Sequence, residues 1–472
     1  MSLLQFFLAV DVTVVNIALP SIGDEYGVGG HALTWVVVGY TITGGGLLLL
    51  GGRLGDLYGR RRVLLFGTGL FGAASLLAGL APTFELLVLA RLLQGAGEAV
   101  ALPAAMATIV LLFPEGPLRS RALSVWGAVA SCGLALGFAV SGVITAQLGW
   151  RWIFLLSVPF VLVVLLAAVL LIDGDRPAVP PAEGAAPLSP GPRRPGLGGA
   201  LLLTACPLLF TLAVVGAGEP ATPGWLVAGA SAGAVAAGFA CVRVEARARD
   251  PLLPPRFFAH RARVAANLTT MLLSGALSTS FLLFTFYLQD RLGTGPLGAG
   301  LTMLPLAVSL IACALLVPRL LGRWGARACV LAGIGFTAAA LAVIALVAVL
   351  RADGPALVPA MFLIAAGMGL GIVGLQYVAV SGVTEDDAGT ASGVQRAADQ
   401  LGGATGTALC VGVGFAPALH SVDPFVLATL LAGVGLVIGA VVAGRMPAPP
   451  TGERPGTGPG ERPAGRPGER TG

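Results

Sequence analysis

A succession of apolar runs, each about 20 residues long and so able to cross a bilayer as a helix, constrains this chain more than any other feature. The runs centre near residues 12, 43, 72, 98, 132, 161, 208, 233, 276, 307, 338, 368, 402 and 434. Inside lipid each backbone N–H and C=O must find its partner within its own segment, so such a chain can only be a bundle of membrane helices. Composition agrees. Only 11% of the 472 residues are charged, against roughly 25% in soluble domains. The 69 glycines fit membrane helices, which carry more glycine than soluble ones. The reading is an all-α integral membrane protein of about 14 transmembrane helices, with the sixth to ninth runs the least sharply bounded.

Charge sets the topology. All 28 basic residues are arginine, and arginine is retained on the cytoplasmic side. With the N-terminus inside, the inner loops hold Arg53 with Arg60 to Arg62, Arg119 and Arg121, Arg176 with Arg193 and Arg194, the cluster from Arg243 to Arg263, and Arg319, Arg323 and Arg327. Only Arg151, Arg291 and Arg351 fall outside. Both termini are therefore expected in the cytoplasm, with the chain multi-pass in the plasma membrane and the lipid bilayer as its surroundings. A net charge of +5 spread over short inter-helix clusters is a topology signal, not a nucleic-acid-binding face.

Several chemistries are absent. The six cysteines, Cys132, Cys206, Cys241, Cys313, Cys329 and Cys410, sit in or beside apolar runs without metal-ligand spacing, so neither disulfide nor metal is expected. His31, His260 and His420 fall in loops or at interfaces and receive no role. A phosphate-binding G-x-x-x-x-G-K-[ST] loop is impossible without lysine, which excludes ATP-driven transport by this chain alone. The first run, Leu3 to about Ile22, has neither a positive leader nor a cleavage site, so it reads as the first helix and leaves the true start codon open. Residues 173–197 and 445–472 are rich in Pro, Gly and Arg and poor in apolar groups, and read as disordered.

Polar residues inside the apolar runs are the candidates for function, because an ionisable group in lipid costs several kcal/mol unless it is paired or used. Asp11 and Asn16 lie in the first run, Arg91, Gln94 and Glu98 in the fourth, Arg396 and Asp399 in the thirteenth. Offsets of three and four place Arg91, Gln94 and Glu98 on one helical stripe. The i,i+3 spacing of Arg396 and Asp399 suits a pair that offsets its own burial cost. Between the second and third runs the loop Gly52-Arg53-Leu54-Gly55-Asp56-Leu57-Tyr58-Gly59-Arg60-Arg61-Arg62 sets one carboxylate among arginines. Its Gly/Arg character is echoed from Pro318 to Arg327, as internal duplication in secondary transporters would produce.

These residues resemble the fourteen-span drug:proton antiporters of the major facilitator superfamily. The loop bearing Gly52, Asp56, Gly59, Arg60 and Arg61 is similar to the superfamily's cytoplasmic gate motif, Asp11 to Pro20 to its first-helix motif, and Arg91-Leu92-Leu93-Gln94-Gly95 to its fourth-helix motif. The fifth run, with Gly133, Gly137 and Gly142, resembles the packing motif of antiporters. It departs at Phe138, where the family has the proline that kinks the helix. Gln289 to Pro305 and Ala391 to Gly406 resemble the ninth-to-tenth connection and the thirteenth helix.

The resemblance implies a major facilitator fold. Its two six-helix bundles would be residues 1–172 and 264–444, with two extra central helices at 198–243, cytoplasmic linkers at 173–197 and 244–263, and a tail at 445–472. It implies a transporter, not an enzyme, that exports a small amphiphilic drug or antibiotic by alternating access. The proton gradient replaces any cofactor, and no obligate protein partner is needed. Asp11 is the first proton-coupling candidate. Glu98, where the family commonly has a small residue, is a second proton site, an attraction for cationic cargo, or a counter-ion for Arg91. Another cargo or a proton symporter is the nearest alternative, and a polytopic membrane enzyme or sensor a distant one.

Overall fold

A computed structural model describes residues 1–113, 116–172, 196–219, 222–248, 250–253, 257, 260–381, 385–416 and 422–446. Most of the 173–197 linker and nearly all of the tail lie outside the described residues, and with them the expectation of disorder there.

The described chain is helical throughout. In order, the helices are α1 (Ser2–Tyr26), α2 (Gly30–Tyr58), α3 (Arg60–Gly79), α4 (Phe84–Leu112), α5 (Pro117–Gln147), α6 (Arg151–Leu155), α7 (Ser157–Leu171), α8 (Leu197–Gly218) and α9 (Gly224–Arg247). Then come α10 (Arg261–Phe286), ending in a π-turn (Tyr287–Arg291), α11 (Pro296–Thr302), α12 (Leu304–Trp324), α13 (Ala326–Leu350), α14 (Val358–Val380), α15 (Glu385–Gly414) and α16 (Pro424–Gly444). The repeat seen in the sequence takes structural form at two glycines. Gly59, at φ 94°, is the whole break between α2 and α3, and Gly325, at φ 80°, the whole break between α12 and α13. A side chain is strained at such angles, so glycine lets one residue reverse the chain.

Twelve helical segments among the described residues are long and apolar enough to span a membrane, and α5, counted across its bend, makes thirteen. The expected count of fourteen is thus not confirmed. The missing span is α15, where Gln395, Arg396, Asp399, Gln400 and several glycines dilute the apolar residues. Among the described residues fourteen helical runs follow one another, but this one is too polar to count as apolar. It is also the helix that packs on α10 to one side and α2 to the other, so it has little need of a lipid-facing surface.

Helices α1 to α7 pack mainly among themselves, as do α10 to α16. Small residues set the close approaches. Gly67 faces Gly97 and Ala101 between α3 and α4, and Gly333 faces Gly371 between α13 and α14. The same device recurs in both halves. The halves meet along α2 with α15 and along α5 with α11 and α12. On the face opposite the termini, Gln289 of the π-turn donates to the Ile17 carbonyl at 2.9 Å, Gly142 abuts Pro296 and Gly300, and Phe138 packs on Phe281.

The fifth helix bends by 41° between Leu134 and Leu136, although the family's proline is absent. Gly133 and Gly137 lie against the α1 backbone at Phe6 and Val10, and the Ser141 hydroxyl donates to the Val14 carbonyl. Close packing on α1 accompanies the bend that a proline would otherwise supply.

Candidate functional site

The polar residues of α1, α2, α3 and α4 converge on Arg91. Its Nη1 is 2.6 Å from Asp11 Oδ2, with both side chains 1% exposed. Nη1 also donates to Gln94 Oε1 at 2.9 Å, and Nε to the Val36 carbonyl at 2.8 Å. Gln94 Nε2 donates in turn to Ser75 Oγ at 2.8 Å, and Ser75 donates to the Phe71 carbonyl. The guanidinium lies over the Tyr40 ring at 4.2 Å and near Phe154 at 5.7 Å. Burying a guanidinium is tolerable only when its donors and charge are satisfied in this way.

Glu98 is therefore not the counter-ion of Arg91; Asp11 is. The difference comes from rotation along the helix. Gln94 and Asp11 occupy the donors that Glu98, two turns beyond Arg91, would otherwise take. Instead Glu98, at the midpoint of α4, is 2% exposed and turned toward the seam between the halves. Its Oε1 accepts a long hydrogen bond, 3.5 Å, from Gln400 Nε2 at the midpoint of α15. Glu98 Oε2 and Gln400 Oε1 are buried without a protein partner, and both lie against Gly44 of α2. Tyr40 approaches the same carboxyl, and Arg396, Asp11 and Arg91 act on it through space.

Arg396 and Asp399 do not pair. Asp399 accepts from the Ser274 hydroxyl of α10, whereas Arg396 is exposed on the other flank of α15. Three residues advance a helix by about 300°, and the tight seating of Gly402 and Gly406 on Met271 and Gly275 turns Asp399 toward α10. Asn16 is buried, bonded at 3.5 Å to the Val12 carbonyl of its own helix. In the gate motif Arg60 reaches Asp56 at 3.4 Å on the exposed surface, and Arg61 donates to the Val169 carbonyl at the end of α7 at 2.7 Å. Gly52 stands near Pro103 of α4. Gly133, Gly137 and Gly142 serve packing, the first two against α1 and the third against the other half.

Tyr40, Ser75 and Gln400 belong to this site but were not singled out from sequence. Tyr40 and Ser75 are isolated polar residues in apolar runs, with nothing local to link them to Arg91. Gln400 was visible only as part of a motif.

Two helical halves that meet along a seam burying a carboxyl have the architecture of many secondary membrane transporters. The profile described as "Major Facilitator Superfamily" matches residues 1–407, and the chain belongs to that superfamily. It is a multi-pass membrane transporter of small molecules, not an enzyme. It is 48% identical over 447 residues to the lincomycin resistance protein of Streptomyces lincolnensis, covering 94% of this chain and 89% of that one. It is 38% identical to the cephamycin export protein CmcT of Amycolatopsis lactamdurans, over 87% and 82% of the two chains. Its fold matches a partially occluded inward-open conformation of the xylose transporter XylE from E. coli, with a TM-score of 0.61 at 14% identity over 96% and 97% of the chains.

Proposed function

We propose that this chain exports amphiphilic, antibiotic-like molecules across the plasma membrane in exchange for protons, with residues 1–172 and 264–444 rocking about the seam. Both termini and the gate motif face the cytoplasm in this reading, as the arginine distribution requires. The proton gradient is the only energy source, and neither cofactor nor protein partner enters. The names of the lincomycin and cephamycin relatives support the cargo class.

The observation that carries the coupling is the division of labour between two carboxyls. Asp11 is held by Arg91 at 2.6 Å and supplies a fixed charge pair. Among the described residues Glu98 has no cation within ion-pair distance, and one oxygen of each carboxyl lacks a hydrogen-bond partner. An unpaired buried carboxylate costs several kcal/mol, so Glu98 takes a proton when sealed from water and releases it when the seam hydrates. Its Gln400 contact ties that event to the position of the other half. Coupling thus centres on Glu98, with Asp11 and Arg91 setting the field around it.

The test is export of a fluorescent cationic dye from whole cells by wild type, Glu98→Gln and Asp11→Asn, each with and without an uncoupler. Uncoupler-sensitive export by wild type, lost in Glu98→Gln, is the expected result. Equal uncoupler-sensitive export by wild type and Glu98→Gln removes Glu98 from coupling. Export unaffected by the uncoupler in wild type sinks the antiport reading. Absence of dye movement in wild type moves the cargo to the alternative class, a narrower metabolite.

A further inference from the structure

The helix pair α8–α9 lies across the α2–α15 seam, with α8 touching both halves, yet its two contacts differ in kind. Toward α2 the approach is close and interlocked. Gly46 of α2 admits the Thr204 side chain, and a Cβ there would stand 2.9 Å from the Thr204 backbone. Ala200, fully buried, closes a cluster with Leu50 of α2 and Leu252. Toward α15, half-buried Leu203 and Leu208 pack on an apolar cluster that joins Leu401, Ala404 and Ala408 of α15 to Val38 and Ile42 of α2. No hydrogen bond joins α8 to α15 among the described residues.

The interlocked side also carries a polar clamp. Arg53, near the end of α2, donates from Nη1 to the Asp250 carbonyl at 2.6 Å and from Nη2 to the Pro251 carbonyl at 3.0 Å. Residues 250–253 follow α9, so this arginine grips the chain leaving the pair. Leu252 is buried against Gly196, at the start of α8. The Leu253 amide donates to Glu245 of α9 at 2.9 Å, and Glu245 itself is buried against Gly199 of α8. Arg53, the 250–253 segment, Glu245 and the first turn of α8 thus form one connected block.

We infer that α8 and α9 are clamped by Arg53 to the N-terminal half and move with it as one body, while α15 slides along the apolar stripe of α8 as the halves rock. Charge-assisted hydrogen bonds to two carbonyls and an interlocked glycine contact resist sliding. A stripe of Leu and Ala side chains offers neither directionality nor a unique register. The pair would keep lipid out of the α2–α15 seam throughout the cycle. Arg53 lies within the gate-motif sequence, on the last turns of α2, but acts sideways, on the extra pair, not across the gate.

The test is pairwise spin-label distance measurement on the full chain in lipid nanodiscs, in a cysteine-free background, at pH 5.5 and 8.5 and with added dye. Labels go at the exposed positions Leu201 (α8), Phe66 (α3) and Val441 (α16). The expected result is one unchanged Leu201–Phe66 distance in all conditions and a Leu201–Val441 distance that shifts or splits into two populations. Arg53→Ala should broaden the Leu201–Phe66 distribution, and Arg53→Lys should restore it in part, with helical content and thermal midpoint monitoring the fold. A Leu201–Phe66 distance that shifts with condition in the unmutated clamp, a fixed Leu201–Val441 distance, or an Arg53→Ala distribution as narrow as the parent's overturns the inference.

Discussion

At the residue scale, the energetics of the site turn on which charges are neutralised by contact and which are not. Arg91 and Asp11, each 1% exposed, are an all-or-none pair: each is tolerable only because the other is present. Removing one partner of a buried pair costs about 3–5 kcal/mol, because a lone charge is left behind. Arg91→Ala and Asp11→Asn should therefore each lower the thermal midpoint and the amount of folded protein in the membrane, since each leaves its buried partner without a counter-charge. The double variant Asp11→Asn/Arg91→Gln should recover most of the midpoint but none of the transport. Thermal melts followed by fluorescence-detected size-exclusion chromatography measure this directly. Equal losses for Arg91→Ala and the double variant would falsify the pairing.

At the element scale, glycines decide how close helices come, and a methyl group tests each position. At Gly402 a Cβ would fall on the Met271 backbone of α10, and at Gly406 on the Gly275 backbone. At Gly69 and Gly335 it would meet nothing within 4 Å. Overpacking a tight interface costs about 1–3 kcal/mol, whereas alanine at an open helical position gains up to about 1 kcal/mol of helix propensity. Gly402→Ala should lower the thermal midpoint by several degrees, and Gly69→Ala should leave it level or raise it. A Gly402→Ala melt that overlays the parent would show that α10 and α15 are less tightly apposed. The polarity of α15 belongs to this scale as well. Asp399 is spent on Ser274 and Gln400 on Glu98, which is how a helix too polar for lipid is accommodated between others.

At the scale of the whole molecule, alternating access depends on small energy differences between two packings of the halves. The face opposite the termini is held by the Gln289 to Ile17 hydrogen bond at 2.9 Å and by the Gly142 contact with Gly300. One neutral hydrogen bond is worth about 1 kcal/mol net, or about fivefold in a population ratio. Gln289→Ala should shift the resting balance by about that factor toward the state open on that face. Accessibility of a single cysteine at Ile17 to a membrane-impermeant maleimide, measured in cells, reads the shift. Labelling at the parent's rate would remove the latch from the mechanism.

The sequence by itself determined the helical membrane class, the two-fold repeat of Gly/Arg turns and which polar residues lie within the membrane, and its motifs carried the resemblance to the superfamily. The first three follow from local rules: run length, the cost of charge in lipid, and the spacing of glycine and arginine. Tertiary structure alone decided the partners. Nothing local says that Arg91 reaches back to Asp11, 80 residues earlier, and not to Glu98 on its own stripe. Nor does spacing reveal that Asp399 prefers Ser274 to Arg396, or that Arg53 grips the chain beyond α9. Such choices depend on the rotation each helix adopts when its glycines seat against a neighbour, and that rotation is set by the packing of the whole bundle.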